Sequence, residues 1–386
     1  MEKINKLKKF LKNERIDGYI IPKNDEFFGE YIPDCEDRLK YISDFTGSYG
    51  FALILGNKNY LFVDGRYTLQ ANKQSGKYFK IKTIPHESPR DVLKNKNLKI
   101  GFDPKLFTKK TLNIFFGKTN CKYVALSNDL VDKIWIRKKS KVKNKFYILP
   151  SISVGESWQS KINKVVNKLK KIGADFHFIT ASENNAWLLN IRGNDSKYTP
   201  IPLSYILIDK EKKINFFCDL KKIPTSFKKK FNKIKFLNIN YTSSILSKIN
   251  KKKFMIDKNT CSIFYENIIL KNNKILNQQD PIYFLKAIKA KKEIENIKKA
   301  HIYDGAALTK YLFWLKGNFI KKKITEISGE KKLFNLRKKN KNFNFLSFPT
   351  ISGTGPNGAI IHYKATESSN RRLKKGDIYL VDSGGQ

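Results

Sequence analysis

At 386 residues, 40% of them hydrophobic with 28 Phe and 18 Tyr, the chain exceeds one ordinary core and two or three domains are the natural expectation. Its formal charge of +43 invites a nucleic-acid reading, but only nine of the 77 basic residues are Arg and the lysines run through every segment, which argues against specific recognition and predicts only weak, salt-sensitive adhesion to polyanions. No run approaches the roughly 18 apolar residues of a membrane helix, and MEKINKLKKFLKNER at the start lacks a signal-type apolar centre, so a cytoplasmic protein with no membrane partner is expected.

The opening segment places Ile4, Leu7 and Leu11 on one side of an amphipathic helix. Strands are expected at GYIIP (18–22), GFALIL (50–55), NYLFVD (59–64) and KIGFDP (99–104), with a turn at Asp64-Gly65 and a proline stop at Pro104. A boundary falls near Pro150. A second helix then carries Ile162, Val165, Val166, Leu169 and Ile172 at helical spacing and ends at Gly173. Strands FHFIT (176–180), YILID (205–209), INFFCD (214–219) and FMID (254–257) follow. The order of elements repeats the first unit, which predicts two related α/β domains. Residues 226–253, rich in lysine, read as a solvated helix face with its loops.

A third unit opens near Asp280-Pro281. A long helix runs through Ile294, Ile297, His301, Ala307 and Leu308 toward Leu312, and a shorter helix is expected around 331–337. The chain closes on a glycine-rich segment and a terminal strand that has no downstream strand to pair with. The expected domains are 1–150, 151–283 and 284–386. Cys35, Cys121, Cys218 and Cys261 are scattered without a CxxC pair and read as free thiols in a reducing compartment.

Two residues stand out chemically. Asp382, in IYLVDSGGQ (378–386), follows an apolar strand and precedes a glycine turn. It reads either as a cap for that turn or as an oxygen ligand for a hard divalent metal. His362, in GPNGAIIHYKAT (355–366), follows turn signals and the apolar run Ala359-Ile360-Ile361, read as a short strand. It is either structural or a donor to oxyanion charge on a scissile carbonyl. His301 and Asp304 read as a solvated i,i+3 pair.

Several separate stretches carry a family resemblance: DFTGSYGFALI and LFVDGRYTLQA (44–54, 61–71), GADFHFITASENNAWLLNIRGND (173–195), KAIKAKKEIENIKKAHIYDGAAL (286–308), SFPTISGTGPNGAIIHY (347–363) and VDSGGQ (381–386). Together they resemble the three-domain Xaa-Pro aminopeptidases (aminopeptidase P), creatinase/prolidase-like metallopeptidases. The resemblance implies an α/β fold, α+β overall, of two creatinase-like N-terminal domains and a pita-bread catalytic domain, of which these residues cover the first half. It implies hydrolysis of the N-terminal bond in peptides with proline at position two, by hydroxide bridging two divalent metal ions, Mn²⁺ being the usual species. Asp382 matches the first metal-binding carboxylate, His362 the substrate-contacting histidine, and Arg66 in VDGRY an arginine associated with substrate binding; its other reading is a turn arginine paired to Asp64. Asp195 and Trp187 match structural or interface positions. The family's remaining metal ligands have no counterpart before Gln386, so the chain alone is expected to be inactive, and a homodimer is expected only of a complete enzyme. A non-catalytic peptidase-like binding module and a prolidase- or creatinase-type hydrolase remain as other readings.

Overall fold

The computed structural model describes residues 1–137 and 144–386. Two compact units emerge: Met1–Pro150 with Glu156–Ser196 and Pro200–Ile288, and Ser151–Gly155 with Lys197–Thr199 and Lys289–Gln386.

The first unit holds two six-stranded sheets. One is built from β1 (Gly18–Pro22), β2 (Phe51–Leu55), β3 (Asn59–Asp64), β4 (Lys80–Ile84), β5 (Lys99–Phe102) and β6 (Lys122–Ala125), in the order β4-β3-β2-β1-β5-β6. The strands that follow are β7 (Tyr147–Ile148), β8 (Phe176–Ile179), β9 (Ile191–Arg192), β10 (Tyr205–Asp209), β11 (Ile214–Cys218), β12 (Ile234–Asn238), β13 (Lys253–Ile256) and β14 (Lys274–Asn277). Of these, β7 pairs with β9, and the others form a second sheet ordered β12-β11-β10-β8-β13-β14. In both sheets the first, second and third strands pair antiparallel, and the remaining pairings are parallel.

The repetition extends to single side chains. Asp17 and Asp175 each precede the first strand and accept the backbone N–H that opens the fifth, from Lys99 at 2.7 Å and from Lys253 at 3.0 Å. Asp64 and Asp219 each end or follow the third strand and accept an N–H two residues on, from Arg66 and Lys221, both at 3.0 Å. Asp103 and Asp257 do the same after the fifth strand, for Lys105 and Asn259, both at 2.8 Å. Even the helix ends agree: Arg15 (φ 53°) and Gly173 (φ 67°) take the left-handed conformation, and the next residues, Ile16 and Ala174, donate back to Leu11 and Leu169. Two related domains are therefore present, as the order of elements predicted.

Central strands are apolar on both faces. In β1, Tyr19 and Ile21 join one core with Leu7 and Leu11, whereas Ile20 joins another with Leu53, Phe62 and Phe102. In β10, Ile206 and Ile208 face one core and Tyr205 and Leu207 the other. The period-two alternation thus fills two layers at once. The two domains are joined within the unit by backbone bonds from Ile263 to Phe107 (2.8 Å) and from Phe264 to Pro104 (3.0 Å), and by stacking of Phe27 on Tyr205.

In the second unit, the helix Lys291–Asn318 packs with the helix Glu326–Lys338, and both lie by a two-stranded ladder of β15 (Ile351–Thr354) and β16 (Tyr379–Asp382). Only Ala307 and Tyr311 of the long helix are buried; Ile294, Ile297 and Leu312 are exposed. The terminal strand does have a partner: β16 pairs antiparallel with the upstream β15, and Gln386 exchanges backbone bonds with Asn344 and Phe345. The run Ala359-Ile360-Ile361 is not a strand. A 3-10 helix, Gly355–Ala359, occupies that place, and Ile360 donates to the carbonyl of Asn357.

Candidate functional site

The β15–β16 ladder is the platform for both residues singled out at the C-terminal end. Its register pairs Ile351 with Asp382, Ser352 with Val381, Gly353 with Leu380 and Thr354 with Tyr379. Alternation sorts these onto two faces. Ser352 and Tyr379 turn inward, where Ser352 Oγ lies 2.7 Å from Tyr379 Oη, which lies 2.9 Å from Tyr311 Oη. Gly353 and Leu380 meet the 3-10 helix on the other face: a Cβ at Gly353 would come within 3.0 Å of the Asn357 carbonyl and the Gly358 nitrogen. Glycine there is a requirement of close approach.

Asp382, two residues beyond Leu380, shares the face that the 3-10 helix covers. His362 lies on the turn that leaves this helix, with φ 56°. One side of a four-rung ladder thus presents Asp382 and the loop bearing His362. Both residues are exposed. Asp382 ends a strand whose residues are alternately half-buried and exposed.

Two neighbouring residues, Arg337 and Glu326, carry no signal in the sequence. Arg337 is buried, forks onto Asp304 and donates to Ser383, the residue after Asp382. Asp304 is therefore tied to a second helix and not to His301, whose Nδ1 lies 2.9 Å from the carbonyl of Ile297. Glu326, fully buried, collects donors from the loop between β15 and β16. The motif Thr325-Glu326 is legible only as the start of a helix with an acid in its first turn.

Arg66 belongs to the first unit. Its guanidinium forks onto Asp64, with Nη2 to Oδ2 at 2.6 Å, and lies over the Tyr67 ring. The Asp195 side chain is nearly covered; it accepts the Leu203 N–H at 2.9 Å and pairs with Lys222 at 2.5 Å. Trp187 covers the buried Lys161 ammonium, 3.9 Å from the ring centroid. The four cysteines are free thiols, and burial raises those of Cys218 and Cys261.

The first unit also encloses a cavity of about 860 Å³ between its two domains, lined by Asp25, Asp103, Asp129, Arg38 and Lys105 among others. Burial pushes the carboxyls of Asp25 and Asp129 up to about 6. Neither Arg66, His362 nor Asp382 lines it.

Among the described residues, no group of three or more His, Cys, Asp or Glu converges to hold a metal ion. Asp382 stands as a single carboxylate, and the residues present do not by themselves fit a dinuclear centre. No helix among the described residues is long and apolar enough to cross a membrane.

Family models match along nearly the whole chain: the creatinase/prolidase N-terminal domain at residues 3–134 and, in a second form, at 137–293, then metallopeptidase family M24 at 295–386. A probable Xaa-Pro aminopeptidase P from Laccaria bicolor is 34% identical over all of this chain and 62% of its own length. Xaa-Pro aminopeptidase 1 from Dictyostelium discoideum is 33% identical, over all of this chain and 65% of its own. The chain thus spans just under two thirds of these relatives, and 67% of others that are 31–32% identical. The crystal structure of X-prolyl aminopeptidase from Caenorhabditis elegans, described as a cytosolic enzyme with a di-nuclear active site, is 27% identical and superposes on the whole chain, and on 67% of that protein, with a TM-score of 0.92. With two creatinase/prolidase N-terminal domains ahead of M24 metallopeptidase sequence, the chain belongs to the Xaa-Pro aminopeptidase P family.

Proposed function

We propose that these residues serve an aminopeptidase that removes the N-terminal residue from peptides with proline in second place. The observation that carries the reading is the ladder face that presents Asp382 together with the loop of His362. In this reading the imidazole of His362 donates a hydrogen bond to the oxygen of the scissile carbonyl as negative charge gathers there. Asp382 contributes one carboxylate toward a pair of divalent ions, Mn²⁺ in the reading the family suggests, which supply Lewis acidity when bound. Arg66 is assigned a part in substrate binding by the same family resemblance. The bond before proline is a tertiary amide with no N–H, so recognition rests on the shape of the ring and the free amine of residue one.

The domain limits 1–150, 151–283 and 284–386 are part of the same proposal, as are a cytosolic location, which the Caenorhabditis elegans neighbour's description supports, and a homodimer for the complete enzyme. The 386-residue chain by itself is expected to be inactive as a peptidase, because Asp382 is one carboxylate where a pair of divalent ions needs several.

A chimera tests the site. These 386 residues are joined to the part of the Laccaria bicolor relative that they do not match. The expected result is Mn²⁺-dependent release of residue one from an Xaa-Pro peptide, lost in His362→Ala and Asp382→Asn. An active chimera indifferent to both substitutions would remove these residues from the site.

A further inference from the structure

Glu326 is the first residue of the helix Glu326–Lys338 and is fully buried, yet its carboxylate faces away from that helix. Oε1 accepts the Thr354 N–H at 2.8 Å and the Asn357 amide at 3.0 Å. Oε2 accepts the Tyr363 hydroxyl at 2.9 Å and the Arg371 N–H at 3.0 Å. The backbone joins in: Glu326 N–H donates to the Arg371 carbonyl at 3.0 Å, and Ser352 Oγ donates to the Glu326 carbonyl at 2.8 Å. Two oxygens thus gather four points on one excursion of chain, 354 through 371, between the strands of the ladder. A buried charge of this kind is tolerable only because every lone pair is engaged.

The excursion carries one histidine, and it is exposed. His362 immediately precedes Tyr363 and holds a left-handed backbone, φ 56°. A non-glycine residue keeps that conformation only where its surroundings over-determine it. Asn357 before His362 and Tyr363 after it are both fastened to the same carboxylate, and Asn357 Nδ2 also lies 2.8 Å from Tyr363 Oη. The chain before and after His362 is thereby clamped together.

We propose that Glu326 is a positioning residue for His362: its buried carboxylate fixes the loop that sets the backbone of His362 and the direction in which the imidazole is presented. The catalytic consequence rests on the reading of His362 given above. The positioning does not. Glutamate is needed for its two acceptors, because glutamine at 326 would turn an NH₂ group toward donors from Thr354 and Asn357, or from Tyr363 and Arg371.

The chain has four histidines, His86, His177, His301 and His362, so imidazole NMR of the purified chain labelled at histidine reads the effect directly. His362→Gln assigns the resonance. Glu326→Gln is expected to shift and broaden the His362 signal, well below the variant's own unfolding midpoint, while the other three stay in place. Tyr363→Phe, which removes one donor, is expected to move it in the same direction by less, and serves if Glu326→Gln does not fold. An unmoved His362 signal in Tyr363→Phe, or in folded Glu326→Gln, overturns the proposal. In the chimera, Glu326→Gln is expected to lower kcat by about a hundredfold, with KM changed far less, as misplacement of a reacting group does. A moved resonance in a chimera whose activity ignores His362→Ala would instead leave the positioning intact and defeat the catalytic reading.

Discussion

Arg337 holds Asp304 in a two-point fork, Nε to Oδ1 at 2.6 Å and Nη2 to Oδ2 at 2.9 Å, and the same Nη2 reaches Ser383 Oγ at 3.1 Å. One guanidinium, buried on the shorter helix, thus ties the long helix to the turn beyond Asp382. Removing the acid would strand a buried cation. Asp304→Ala is therefore expected to destabilise the chain by about 3 kcal/mol in urea unfolding, well beyond the effect of removing an exposed charge elsewhere on the same helix, such as Lys310→Ala.

The close approach at Gly353 gives a paired test. Gly353→Ala would push its methyl against the Asn357 carbonyl and the Gly358 nitrogen, both backbone, and is expected to cost about 1–3 kcal/mol. Gly305, within the long helix, has nothing within 4 Å of its virtual Cβ. Gly305→Ala is expected to stabilise by about 0.5–1 kcal/mol. Chemical denaturation of both variants checks the opposite signs.

These relationships show what was legible in the residues and what was not. The central strands β1, β2, β10 and β11 announce themselves as apolar runs because layers of helix cover both their faces. Within the two six-stranded sheets, the strands that escaped are β4, β6, β12 and β14, with sequences KIKTI, KYVA, IKFLN and KILN, and they are the four edges of those sheets. Lysine on an edge strand blunts pairing with another chain, and the same lysines disguise it as loop. That is why β12 was read as part of a solvated helix face. The apolar run 359–361 misled in the other direction. Asn357 and Glu326 bend it into a 3-10 helix and turn through contacts between residues about thirty positions apart, which no local pattern records. Arg337 and Glu326 were invisible for the same reason: each looks like one more charge on a helix until its partners arrive from elsewhere.

Arg66 offers two readings that one variant separates. Its pair with Asp64 is exposed and only two residues apart, so as a structural contact it contributes about 0–1 kcal/mol. Arg66→Ala is expected to leave the unfolding midpoint of the chain almost unchanged and to raise KM in the chimera. A KM that does not move would leave it as a turn arginine.

Two buried groups in the second domain give a pH dependence with opposing signs. Burial pushes Asp280 up to about 7 and His177, also buried and 3.8 Å from Asp280, down to about 3. Between about pH 4 and 7 the folded chain keeps a proton on Asp280 that the unfolded chain has lost, so this group's stabilisation, full at low pH, fades as pH rises. Between about pH 3 and 6.5 the unfolded chain protonates His177 while the folded chain does not, so that contribution grows with pH. The two largely cancel where they overlap. Asp280→Asn, which can still cap the helix Pro281–Ala287, is expected to gain stability relative to the parent across pH 4–7, by up to about 1.4 kcal/mol per pH unit. Urea unfolding at several pH values would show a flat difference if Asp280 does not titrate in that range.

The chain carries the family's two N-terminal domains, and in the proposed function Asp382 is the one carboxylate that the described residues offer to a metallopeptidase site. Equilibrium dialysis of the purified 386-residue chain against Mn²⁺, with chromatography of an Xaa-Pro peptide incubated beside it, measures the claim directly. No stoichiometric pair of bound ions and no release of the first residue are expected. Two ions bound per chain together with Mn²⁺-dependent cleavage would contradict it.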